Sequence, residues 1–177
     1  MSLRDEQATL RAMAHPVRLR ILSLLTGAAL TAADISRELG LTHANASYHL
    51  RTLLAGGLIV PDGEERIRGG IAKRYRYDAA RDRERDRESG RAVNADVQRP
   101  LFATVANELI RRTAEADWSV GGTMTDAELW VDPEVFRDVR DRIARASRDL
   151  HDAARAPRTP GAVRTSTTIA MFKMVDP

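Results

Sequence analysis

The sequence predicts a mainly helical α+β chain, and three observations predict it. Apolar residues recur three and four apart up to Gly57, at a two-residue period between Leu58 and Tyr77, and again at helical spacing from Ala92. The stretch from Thr31 to Gly57 carries the cap and stop residues of two short helices around a tight turn. Gly69-Gly70 lies inside a basic, β-prone stretch suited to a two-residue hairpin. The predicted order is helices, a hairpin, a charged connection, a long helix and a small C-terminal β-α-β unit.

The first helix runs over residues 3–13, with Leu3, Leu10 and Met13 as its apolar points. Pro16 suits the first turn of the next, where a missing N–H needs no partner. Val17, Ile21, Leu24 and Leu25 form its core face, with Arg18 and Arg20 outside. Thr31 caps the third helix, and Asp34 three residues on makes a weak capping box. Ala32, Ile35 and Leu39 are its apolar side. Gly40 is the left-handed stop.

Thr42 caps a fourth helix that Gly56-Gly57 ends. At about 100° per residue, Ala46, Leu50 and Leu53 form its inward stripe. Ala44, Tyr48, Arg51 and Ala55 point the other way, with Ser47 at the side. That outward face is small, aromatic and basic. A major groove admits such a helix, and small residues near its start allow close approach to base edges.

Leu58-Ile59-Val60 is a short strand, and Pro61-Asp62-Gly63 is a turn or bulge signal. EERIRGGIAKRYRY then gives two strands around Gly69-Gly70. Tyr75 and Tyr77 are placed against the helices. Arg66, Arg68, Lys73 and Arg74 are placed at the hairpin tip, where cations reach phosphates or a minor groove.

Residues 79–91 are a charged linker between a unit over residues 1–78 and another over 92–177. In the second unit Val93, Val97, Leu101, Val105 and Leu109 repeat every four residues, with Pro100 kinking or restarting the helix. Residues 123–131 are expected to be extended. Asp132-Pro133-Glu134 starts a helix bearing Phe136, Val139, Ile143, Ala146 and Leu150. Residues 165–175 are a strand of high β-propensity.

Charge is distributed unevenly. Residues 1–77 hold 11 basic and 7 acidic side chains, 78–100 hold 6 and 6, and 101–177 hold 11 and 12. The basic excess sits with the helix pair, as a DNA-facing module requires. There are no cysteines, so disulfides and thiolate metal sites are excluded. No run has the apolar length of a membrane span. Arg4, Asp5 and Glu6 precede any apolar run, unlike a signal peptide, so a cytoplasmic protein is expected.

HPVRLRILSLL, then GLTHANASYHLRTLLAGGLI, then the basic Gly-Gly hairpin resembles the winged helix-turn-helix regulators of the ArsR type, over roughly residues 3–78. The resemblance implies a winged helix-turn-helix domain and a homodimeric, sequence-specific transcriptional regulator, with a repressor role expected. Its partner would be double-stranded DNA carrying an inverted-repeat operator. In that family the start and second turn of the recognition helix meet DNA, which here selects Thr42, His43, Asn45, Ser47 and Tyr48, with Arg51 on the backbone. His49 falls where the family usually has a histidine, and its angle suits packing and a phosphate bond equally. The helix after the wing is the expected dimer seam, with packing inside the same chain as the alternative.

The family's metal sites do not transfer. TAADISRELG lacks Cys, ADVQRPLFATVANEL lacks His, and His15, His43, His49 and His151 show no ligand spacing. No cofactor is expected. No phosphate loop, GxSxG or paired-carboxylate site points to an enzyme. The alternative reading is a winged-helix protein-interaction module that does not bind DNA. The C-terminal unit is read as sensing a small apolar ligand, dimerising the chain, or both. Trp118, Trp130, Phe136 and Phe172 either line a pocket or form a core.

Overall fold

The structure, a computed structural model, describes residues 3–67, 69–78 and 95–175. Arg68, the charged linker and the first residues after it lie outside the described residues. Helix α1 spans Leu3–Met13 and α2 spans Pro16–Gly27. His15 caps α2, its Nδ1 accepting from the Val17 N–H at 3.2 Å, and Pro16 follows in the first turn. A short strand, β1, covers Leu30–Thr31. Helix α3 spans Ala32–Leu39 and α4 spans His43–Ala55.

The caps form as the residue types dictate. Thr31 and Asp34 make the full capping box around the start of α3, the Thr31 N–H donating to Asp34 at 3.0 Å and the Asp34 N–H to the Thr31 hydroxyl at 3.2 Å. Gly40 ends α3 at φ 65°, and the Leu41 N–H returns to the Ser36 carbonyl at 2.9 Å. Thr42 caps α4 by accepting from the Asn45 N–H at 3.2 Å. At the far end Gly57 takes φ 63° and donates to Leu54, while Leu58 donates to Leu53, each at 3.0 Å. That is the paired closure a left-handed glycine permits.

The hairpin consists of β2, Ile59–Ile67, and β3, Gly70–Tyr77. The antiparallel sheet has the order β1-β3-β2, so β3 is central. Its register slips between Pro61 and Glu64, so Pro61-Asp62-Gly63 is a bulge inside one strand. Ile67 pairs with Gly70. Gly70 therefore already belongs to β3, and the turn lies earlier than Gly69-Gly70. Strand β1 was not legible as a strand, because two residues carry no period; its pairing of Leu30 with Tyr75 forms only in the fold.

Ile21, Leu25, Ile35, Ala46, Leu50, Leu53, Leu58 and Ile59 make the core, with Tyr75 and Tyr77 packed against it. The expected inward faces of α3 and α4 meet there, whereas α1 buries Ala12 and Thr9 rather than Leu10, and α2 buries Leu22 in place of the half-buried Leu24. Helix α5, Ala95–Thr113, carries Pro100 within it and packs on α1 and α2. Helix α6, Pro133–Asp152, starts at Asp132-Pro133 as expected and touches α2.

The fold class is mixed α+β, with six helices and one three-stranded sheet among the described residues. The expected C-terminal β-α-β unit does not form. Residues 121–131 and 163–175 carry no regular secondary structure and pair in no sheet among the described residues, so α6 stands without its flanking strands. The physical reason is that β-propensity does not supply a hydrogen-bonding neighbour.

Candidate nucleic-acid interface

Helix α4 divides as its angles require. Ala46, Leu50 and Leu53 are buried, whereas Thr42, His43, Ala44, Asn45 and Arg51 are exposed. Tyr48 is 54% exposed and Ser47 is half-buried at the edge. The C-terminal region does not seal this face. Its contacts with the domain lie elsewhere: Arg158 pairs with Glu38 of α3 at 3.4 Å, and the Arg155 backbone lies against Gly27 at the end of α2. The result is one open helix face with small, polar, aromatic and basic side chains, fixed by a preceding helix and a turn of three residues.

Residues 13–61 match the profile of a helix-turn-helix domain. The crystal structure of a possible transcriptional regulatory protein (fragment 1–100) from Mycobacterium bovis is similar, with 25% sequence identity and a TM-score of 0.38, over 64% of this chain and 95% of that one. No curated protein matches the chain. In the helix-turn-helix, α3 is the supporting helix and α4 occupies the recognition position.

His49 does not belong to the open face. It is only 5% exposed, with its ring 4.8 Å from that of His15 and 5.3 Å from that of Tyr48. Its Nδ1 has no hydrogen-bond partner among the described residues. Packing, one of its two expected roles, is the one it adopts. Burial lowers the His49 pKa, and the nearby His15 and Arg18 lower it further. Burial and then Arg18 do the same to His15.

The wing divides too. Arg66 and Lys73 are exposed near the tip, opposite Ile71 and Glu64 respectively. Arg74 is corrected: it lies opposite Thr31 of β1, and its guanidinium donates to the Ala29 carbonyl at 2.7 and 3.2 Å. It fastens the loop before α3. Charge alone placed it at the tip, but the third strand captures it. Ile67 and Ile71 are exposed at the tip, so the wing is apolar as well as basic.

Sequence reasoning missed two fasteners of the site. Arg18 is half-buried, and its guanidinium donates to the carbonyls of Arg11 and Ala12 at the C-terminal end of α1. A cation there complements the helix dipole. Buried Thr9 donates to the Gly56 carbonyl at 2.9 Å, tying α1 to the end of α4. An Arg just beyond a helix end is a usable signal for the first; nothing local marks the second.

Trp118, Trp130 and Phe172 are exposed, while Phe136 is half-buried. Trp130 shares a shallow open groove with Val131, Asp132 and Val135. The four aromatics therefore enclose no common pocket. No group of three metal-ligating side chains occurs among the described residues, and no helix among them is long and apolar enough to cross a membrane.

Proposed function

We propose that this chain is a sequence-specific DNA-binding transcriptional regulator, acting as a homodimeric repressor in the cytoplasm. The open face of α4 carries the reading: Thr42, His43, Asn45, Tyr48 and Arg51 are exposed on the recognition helix of a helix-turn-helix, with Ser47 at its edge. Asn45 suits an adenine edge, and His43 suits a guanine edge or a phosphate. Ser47 and Tyr48 serve base edges and thymine methyls. Arg51, farther along the helix, serves the backbone. Arg66 and Lys73 of the wing meet phosphates beside the helix, and Arg68 is assigned with them from the sequence.

Residues 1–78 act as the DNA-binding unit in this reading, and 92–177 as the dimerising unit with room for an effector role. The outer face of α5 supports that division, because Phe102, Leu109 and Ile110 are exposed on it. A two-fold dimer requires an inverted-repeat operator. The deciding experiment is selection of bound duplexes from a random oligonucleotide pool with the full chain. Enrichment of an inverted repeat supports the reading. A pool that stays random, with no salt-dependent retention, overturns it.

A further inference from the structure

Two segments of the chain have the sequence of strands and no sheet to join. Residues 165–175, TSTTIAMFKMV, are β-branched and apolar, a composition that fits a pleated, half-buried surface. Residues 123–131, TMTDAELWV, are shorter and similar. No backbone hydrogen bond joins either to another segment among the described residues. Their apolar side chains face solvent: Met124 is 92% exposed, Trp130 84% and Phe172 60%. Among the described residues, none after Glu108 is buried.

The C-terminal segment nevertheless has a defined seat. Arg164 pairs with Glu115, just past the end of α5, at 2.7 Å. Phe172 packs edge-on against Phe102 with 5.8 Å between ring centroids. Residues 164–172 therefore run antiparallel along α5. They border the face on which Leu109 and Ile110 are exposed.

The area says how much cover is missing. The chain exposes 13082 Å², whereas a compact monomer of 19.6 kDa exposes about 8,600 Å². Granting every residue outside the described set the exposure of an unfolded chain still leaves an excess of roughly 1,900 Å². Removing that much per protomer lies in the range of obligate homodimers, whose interfaces total about 2,000–5,000 Å².

We infer that a second copy of this chain covers this surface, with residues 165–175 of the two protomers paired as antiparallel strands over their α5 helices and residues 123–131 flanking them. A two-fold axis lets one patch serve both sides. Strand addition orders each segment by giving its backbone a partner, and alternate side chains close over one another. Lys173 is the sole ionisable residue between Thr165 and Val175, so self-pairing carries little like-charge repulsion. The inference takes its two-fold symmetry from the dimer proposed above and is independent of DNA binding.

The test is amide hydrogen exchange on the full chain across a concentration series, with mass measured in parallel by analytical ultracentrifugation. Slow exchange in 165–175 that is lost as the dimer dilutes to monomer is the expected result. Phe172→Asp should raise the dimer dissociation constant at least tenfold. Three outcomes overturn the inference: a monomer at every concentration with fast exchange in 165–175, protection that persists in the monomer, and a dimer in which 165–175 exchanges freely. A monomer that still selects an inverted repeat sinks this inference and leaves DNA binding standing. A dimer that retains no duplex does the reverse.

Discussion

At the scale of single residues, the contact between His15 and His49 has a measurable consequence. Both imidazoles have pKa values lowered by burial, with Arg18 beside them. The unfolded chain binds protons near pH 6.5, so below that pH it takes up more than the folded chain does. Stability is therefore fully present above about pH 6.5 and is lost as pH falls through the window below it. Denaturant unfolding at pH 7.5 and 5.5 should show this loss, and His49→Leu should flatten it. An equal slope in the variant would show that other groups set it. Gly27 offers a second probe. A Cβ there would clash with the Arg155 carbonyl oxygen, which is backbone and cannot swing aside. Gly27→Ala should cost about 1–3 kcal/mol by overpacking, read as a lower melting temperature. An unchanged melt would mean that residue 155 is not held against α2.

At the scale of elements, the caps were the most legible features, because capping is a contract between residues three or four apart. Thr31, Asp34, Gly40, Thr42 and Gly57 all do locally what their types allow. Thr42→Ala should destabilise the chain by about 1 kcal/mol, since its hydroxyl accepts the Asn45 N–H. The same helix carries the functional prediction. Arg51→Ala should weaken selected and random duplexes alike and lower the salt slope by about one. Ser47→Ala with Tyr48→Ala should instead erode the preference for the selected duplex, by about 1–3 kcal/mol for each base that is no longer read. A double variant with unchanged preference would remove those two side chains from the reading. Arg74 shows where element-level reasoning stops. Its charge and strand position were plain, but β1, which takes it out of the wing tip, is two residues long.

At the scale of the whole molecule, the two halves are unequal. The helices and hairpin up to Tyr77 close around one core, while α6 and the segments flanking it expose most of their apolar side chains. If two protomers present α4 across a two-fold axis, the half-sites must lie one helical turn, or a multiple, apart. Inserting five base pairs between the half-sites of a selected operator should then reduce affinity to near that of random duplex, and inserting ten should restore much of it. Insensitivity to spacing would argue against a rigid dimer on DNA.

The sequence by itself determined the caps, the inward stripes of α3 and α4, the strands of the hairpin and the outward face of α4. These depend on periodicity and on caps spanning a few residues. Only the tertiary structure decided that His49 packs on His15, that Arg74 holds the Ala29 carbonyl, and that the C-terminal flanks of α6 remain unpaired. Each depends on what lies opposite in space, at sequence separations that no local pattern records.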